Sequence, residues 1–211
     1  MSDYIAYWVK YQEKFLMRAV EHLQIVGLTI VISIVLAVLI TILIRKSRFR
    51  TRVVLQLFSV VYSIPSLALF AILIPFTGLG LKTTLIVLVA YNQFLLVRNF
   101  IAGLDHVEPS IVEAAVGMGM PDWQVFWKIQ IPLAMPLILA GVRLAIISTI
   151  GIGTIAATIN AGGLGEILFD GLRTLNQYKI VGGTLLCTIV ALLANIILKI
   201  IEKFVTVKVE R

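Results

Sequence analysis

At 211 residues, 60% hydrophobic and only 14% charged, with a mean hydropathy of +1.02, the chain is too apolar for a water-soluble domain and belongs in a bilayer. Its net charge of +7 invites a nucleic-acid reading, but the cations fall in short segments beside apolar helices, so they mark membrane topology instead. A single cysteine, Cys187, excludes a disulfide framework and a thiolate metal site.

The N-terminal segment carries Tyr4, Tyr7, Trp8, Tyr11 and Phe15 at helical spacing, which predicts an outer interfacial helix over residues 1–20. It lacks the short basic region, apolar run and small-residue cleavage site of a removable signal peptide, so the first span is expected to direct insertion itself. Residues 23–44 contain no charge and are long enough to cross the membrane. A second span is expected over about 53–74, kinked at Pro65 and ended by Pro75, Gly78 and Gly80. A third covers about 82–102, with Arg98 reaching the interface from its final turns. A fourth runs over about 135–158 and a fifth over 180–201, leaving 206–211 as a tail and one membrane domain over 21–205.

Five cations in eight residues (45–52), together with Lys199, Lys203, Lys208 and Arg211, assign those stretches to the cytoplasm by the positive-inside rule. An odd number of spans then puts the N-terminus outside, the C-terminus in the cytoplasm and the loop 105–132 inside. That loop has its own architecture. Pro109 can open a short helix containing Glu113, Ala114 and Ala115, which Gly117 and Gly119 can end. Pro121 and Asp122 start a second helix, on which Trp123, Phe126, Trp127 and Gln130 form one largely aromatic face, and Pro132 is expected to close it. Two short helices with displayed tryptophans make a knob suited to a groove on a cytoplasmic protein.

Glu113-Ala114-Ala115 with Gly119, followed by Ile129, Ile131 and Pro132, resembles the EAA loop of binding-protein-dependent ABC importer permeases, with Ile131 in place of the usual leucine. The resemblance extends from about residue 20 to the end. Ser63-Ile64-Pro65-Ser66-Leu67-Ala68-Leu69, Val97-Arg98-Asn99, the run Gly117 to Val125 and Ala161-Gly162-Gly163-Leu164-Gly165 look like the osmoprotectant branch, while Tyr91-Asn92-Gln93-Phe94 is more polar than that branch suggests. It implies an all-α integral membrane protein with five transmembrane helices in the type I importer permease fold, similar to the methionine importer. It also implies a bacterial plasma-membrane location, a cytoplasmic ATPase dimer docked on Glu113, Ala114, Ala115, Gly119, Asp122, Trp123, Phe126 and Trp127, a second permease, identical or sister, and an extracellular solute-binding protein. The implied cargo is glycine betaine, carnitine, choline or proline betaine, with another small solute such as an amino acid as the alternative.

The chain has no G-x-x-x-x-G-K-[ST], so no cofactor is expected on it, and ATP and magnesium belong to the partner ATPase. The run from Gly151 to Ala156 matches a dinucleotide fingerprint in form but lies in an apolar span, where small residues serve helix packing. There is no H-E-x-x-H or G-x-S-x-G, and His22 and His106 are expected at opposite membrane faces. No catalytic residue is therefore assigned, which counts against a membrane enzyme. An ion-coupled transporter or channel is disfavoured by the absence of an internal repeat and of a mid-membrane carboxylate.

Trp8, Trp123 and Trp127 are placed too far apart for an aromatic cage, which leaves high-affinity capture to a separate binding protein. Polar residues in the spans are the path candidates: Tyr62, Ser63, Pro65 and Ser66; Asn92 and Gln93; and Thr154, Thr158 and Asn160. Taken alone, each fits an interhelical hydrogen bond better than a solute contact. Arg143 is expected to snorkel or to pair with a carbonyl or the loop. The segment from Asn160 to Lys179 reads as an outer gate, a binding-protein dock or a plain connection.

Overall fold

The computed structural model describes residues 2–209, with side chains described for 3–205. The expected 206–211 tail, with Lys208 and Arg211, therefore lies outside the described side chains. Among the described residues the elements are α1 (Ser2–Lys10), α2 (Gln12–Ile44), α3 (Arg48–Ser63), α4 (Ser66–Thr77), α5 (Leu81–Asp105), α6 (Pro109–Gly117), α7 (Asp122–Ile159), α8 (Leu164–Arg173) and α9 (Gln177–Val209). Four helices are long and apolar enough to cross a membrane, and α3 with α4 makes a fifth if the bent pair counts as one span.

α2 has 33 residues, about 50 Å, and outreaches a hydrocarbon core of about 30 Å. The helix expected over 1–20 is therefore divided at Tyr11, and its second half continues the first span. α1 folds back onto α9 instead of lying free at the surface. Tyr7 stacks on Tyr178 at 5.1 Å, and Trp8 Nε1 donates to the Tyr178 carbonyl at 3.0 Å.

The core sits where α2, α5 and α7 meet, around Val26, Ile30, Ala37, Leu96, Val97, Phe100, Ala145 and Ile150. α5 and α7 approach closely. A Cβ built on Gly141 would lie 2.5 Å from Asn99 Cβ, and one on Gly103 2.9 Å from the Ala134 carbonyl oxygen. In the Gly151–Ala156 run, Gly153 abuts the buried His22 ring, as a packing role requires. α9 packs on α7 and α8, yet only Gly182 and Gly183 of its described residues are buried.

The second span departs from expectation. α3 and α4 meet at 96°, a break and not a kink. Pro65 pushes Ile64 into an extended conformation (φ −69°, ψ 130°), which ends α3 one residue earlier. Three of the carbonyls at this break find donors: Ser63 Oγ donates to Val60 O at 2.7 Å, Ile64 N to Val61 O at 3.2 Å, and the Tyr91 hydroxyl to Ile64 O at 2.5 Å. α4 then packs through Leu69 and Phe70 against Val87, Tyr91 and the end of α7.

The fourth span also differs, because Pro132 does not close the loop helix. Residues 122–159 form one continuous rod of 38 residues. Val125–Gln130 is wound as a π-turn, whose wider ring accommodates the missing N–H and the bulk of Pro132 without ending the helix. Arg143 pairs with Glu202 of α9 at 3.1 Å, a carboxylate partner in place of the expected carbonyl or loop.

On the side of the molecule that holds α8, Glu21 Oε2 accepts from Arg18 Nη1 at 2.7 Å and from the Gly163 N–H at 2.9 Å, and Arg18 Nη2 reaches Glu166 at 2.5 Å. This clasp holds α8 against α2. Lys179 Nζ to Asp170 Oδ2, at 2.7 Å, holds it to α9. The carboxyl of Asp170 is kept below its usual range chiefly by that hydrogen bond from Lys179.

Candidate functional site

The loop between α5 and α7 is built by local sequence. Pro109 occupies the first turn of α6, after an extended Glu108. α6 ends in a Schellman motif: the Met120 N–H donates to Ala115 O at 3.2 Å and the Gly119 N–H to Val116 O at 2.9 Å. The motif needs a left-handed residue, and Gly119 supplies it at φ +84°. Ala115 is buried beneath the turn, while Glu113 and Ala114 face outward. Asp122 then starts α7, with Pro121 O accepting from Gln124 N at 2.8 Å.

The expected aromatic face divides. The π-turn changes the angular step per residue, so Phe126 points into the protein, 6% exposed, with the Arg45 guanidinium 3.9 Å from its ring centroid. Phe126 is thus unavailable for docking. Trp127 meets Phe126 edge-on at 5.2 Å and borders an apolar cavity between α2, α5 and α7. Trp123, 60% exposed, stands outward with Met118, 76% exposed, and Val116. An exposed patch of this composition is typical of a protein contact. Val116 and Met118 escaped the sequence reading, although their apolar character around a glycine turn was a usable signal.

The path candidates also separate. Asn92 is buried and donates to Ser33 Oγ at 3.2 Å and Thr149 Oγ1 at 2.9 Å, tying α2, α5 and α7 together. Gln93 Nε2 donates to Ser33 O at 3.3 Å and Val89 O at 3.2 Å. Thr154, half-buried, donates to Ile150 O and contacts Cys187 Sγ at 3.6 Å. These three serve as interhelical ties, the alternative that the sequence left open for each path candidate.

Around the α3–α4 break the picture is different. Tyr62 and Ser63 are exposed, Pro65 is exposed and Ser66 half-buried. The Tyr62 ring lies 5.6 Å from Tyr91 and 5.1 Å from Phe94, forming an aromatic trio that the search among tryptophans could not find. Thr158 and Asn160 are exposed at the far end of α7, and Asn160 adopts φ +63° beside the Gly80 turn.

This combination of a glycine-capped loop, a five-span helical body and a broken second span invites comparison with known transporters. Residues 23–211 match the family described as the binding-protein-dependent transport system inner membrane component. The chain belongs to that family. It is a multi-pass membrane permease subunit of an ABC importer. The chain is 33% identical over 195 residues to the glycine betaine/carnitine/choline transport system permease protein OpuCB of Bacillus subtilis, covering 92% of this chain and 90% of that one. It is also 33% identical over 211 residues to the carnitine transport permease protein OpuCB of Listeria monocytogenes, covering 100% of this chain and 97% of that one. A chain of the MetNI methionine ABC transporter, in an inward-facing conformation, superposes with a TM-score of 0.83 at 22% identity, covering 92% of this chain and 97% of that one, which places this permease in the type I importer fold.

Proposed function

We propose that this permease carries a quaternary-ammonium osmoprotectant such as glycine betaine, carnitine, choline or proline betaine. It works with a second permease, identical or sister, two cytoplasmic ATPase subunits and an extracellular binding protein. Its N-terminus lies outside and its C-terminus in the cytoplasm. The observation that carries the reading is the α6–α7 loop: a rigid turn at Gly119 displays Met118 and Trp123 at the base of a rod that runs through the whole membrane domain. Glu113, Ala114, Gly119, Asp122, Trp123 and Trp127 form or support the ATPase contact, with Ala115 buried under it. ATP binding on the partner closes the motor, the loop is displaced, and the solute route opens to the other side.

The route runs past the α3–α4 break, lined by Tyr62, Ser63, Pro65 and Ser66, and by Thr158 and Asn160 further out. The cargoes named for the relatives share a trimethylammonium head, and the Tyr62 ring offers such a cation a π face. Tyr62→Phe is expected to retain uptake of labelled choline, whereas Tyr62→Ala weakens it about tenfold. Equal uptake by both variants would remove Tyr62 from the path. Uptake that stops with a disabled ATPase and persists with a protonophore identifies the energy source. The opposite pattern would return the secondary-transporter reading.

A further inference from the structure

The link between α2 and α3 and the start of α3 carry Arg45, Lys46, Arg48, Arg50 and Arg52, and none of them is among the ion pairs of the described residues. Arg48 and Arg50 lie in the first turn of α3, which holds no acidic residue, so their charge adds to the positive end of the helix dipole. Arg45, Arg48 and Arg52 line a cavity of about 500 Å³ together with Asp105 and Gln130. Three guanidiniums thus share a cavity with one carboxylate, which leaves its lining net positive.

A second cavity adjoins it. Leu104 lines both, and Arg45, whose buried Nε has no partner, lies on the ring of Phe126 that lines the second one. The second cavity has a volume of about 220 Å³ and an apolar wall that includes Trp127, Met135 and Ile138. A basic cavity joined to an apolar one matches a ligand with an anionic head and a hydrocarbon tail.

We propose that the two cavities form one binding site for an anionic phospholipid. The phosphodiester sits among Arg45, Arg48 and Arg52, and an acyl chain lies along Leu104, Phe126 and Trp127. Clustered basic residues at the membrane surface attract anionic headgroups. Free phosphate shares the headgroup chemistry but leaves the apolar cavity unfilled. An acidic surface of the ATPase would do the same. The proposed topology enters only in assigning the site to the cytoplasmic leaflet.

Trp127 provides the probe. The full-length chain carrying Trp8→Phe and Trp123→Phe is placed in nanodiscs of phosphatidylcholine with an equal minor fraction of either dibrominated phosphatidylglycerol or dibrominated phosphatidylcholine. The anionic lipid is expected to quench Trp127 more strongly, and the preference to fall about fivefold for each arginine replaced in Arg45→Gln, Arg48→Gln and Arg52→Gln. Helix content and nanodisc incorporation show that these variants fold.

Equal quenching by both lipids, or an unchanged preference in the triple variant, overturns the site. Loss of the preference on adding inorganic phosphate makes the ligand a soluble anion and overturns the lipid. Its loss on adding a tryptophan-free ATPase makes the occupant protein and also overturns it. Both leaflets are identical in such discs, so a negative result leaves the importer reading untouched, while sidedness labelling tests that reading separately.

Discussion

Gly119 shows how much can hang on one backbone angle. A Cβ added there meets nothing within 4 Å, so the demand for glycine comes from its φ of +84° and not from crowding. A non-glycine residue in this conformation costs about 1–2 kcal/mol, less for asparagine and more for a β-branched side chain. Retention of the ATPase in purified complexes is therefore expected to fall in the order Gly119, Asn, Ala, Val, with Gly119→Val still inserted in the membrane. A ranking by side-chain volume alone would contradict this. Asp170 offers a second test at the same scale. Its carboxyl is held low, so its contribution to stability is complete above the ordinary carboxylate value near 3.9 and is lost as the pH falls through its depressed value. Thermal unfolding of the complex in acid is expected to show a pH-dependent component that Asp170→Asn abolishes. Gly119 was legible in the sequence as a helix terminator. The Asp170–Lys179 and Arg18–Glu166 pairs were not, because they join residues from different helices and carry no local spacing signal.

The helices were legible from their apolar lengths, and their interruptions only in part. Pro65 signalled a bend, but its 96° size depends on α4 finding Val87 and Tyr91 to pack against, which only the tertiary arrangement reveals. Tyr91 also takes the carbonyl of Ile64. Tyr91→Phe keeps the ring and removes that donor, so the purified permease complex is expected to lose about 1–3 kcal/mol, read as a lower melting temperature. An unchanged melting temperature would show that the break stands without this hydrogen bond. Pro132 misled in the opposite direction. Proline reads as a helix end, but the π-turn before it lets α7 run on, and the same turn rotates Phe126 inward under Arg45. Periodicity arguments assume a constant step per residue, so the split of the aromatic face was out of their reach.

At the scale of the molecule, the all-α class and the presence of four to five membrane-length apolar stretches followed from hydropathy. Which polar residues face a route did not. Asn92 and Gln93 look the same in sequence whether they tie helices or touch a solute, and only their burial against Ser33 and Thr149 decides. The proposed topology has a direct test: a cysteine at Trp123, in a chain with Cys187→Ser, should react with a membrane-impermeant maleimide only after the cells are opened. Labelling in intact cells would invert the orientation and sink the docking role of the loop. The continuity of α7 carries a mechanical implication. A close approach to α5, at Gly141 and Asn99, lies near its midpoint, with arms of about 28 Å toward Asp122 and about 27 Å toward Ile159. A rod pivoting on such a fulcrum swings its two ends by equal distances in opposite senses, so a stroke that squeezes the inner mouth spreads the outer one without any further linkage.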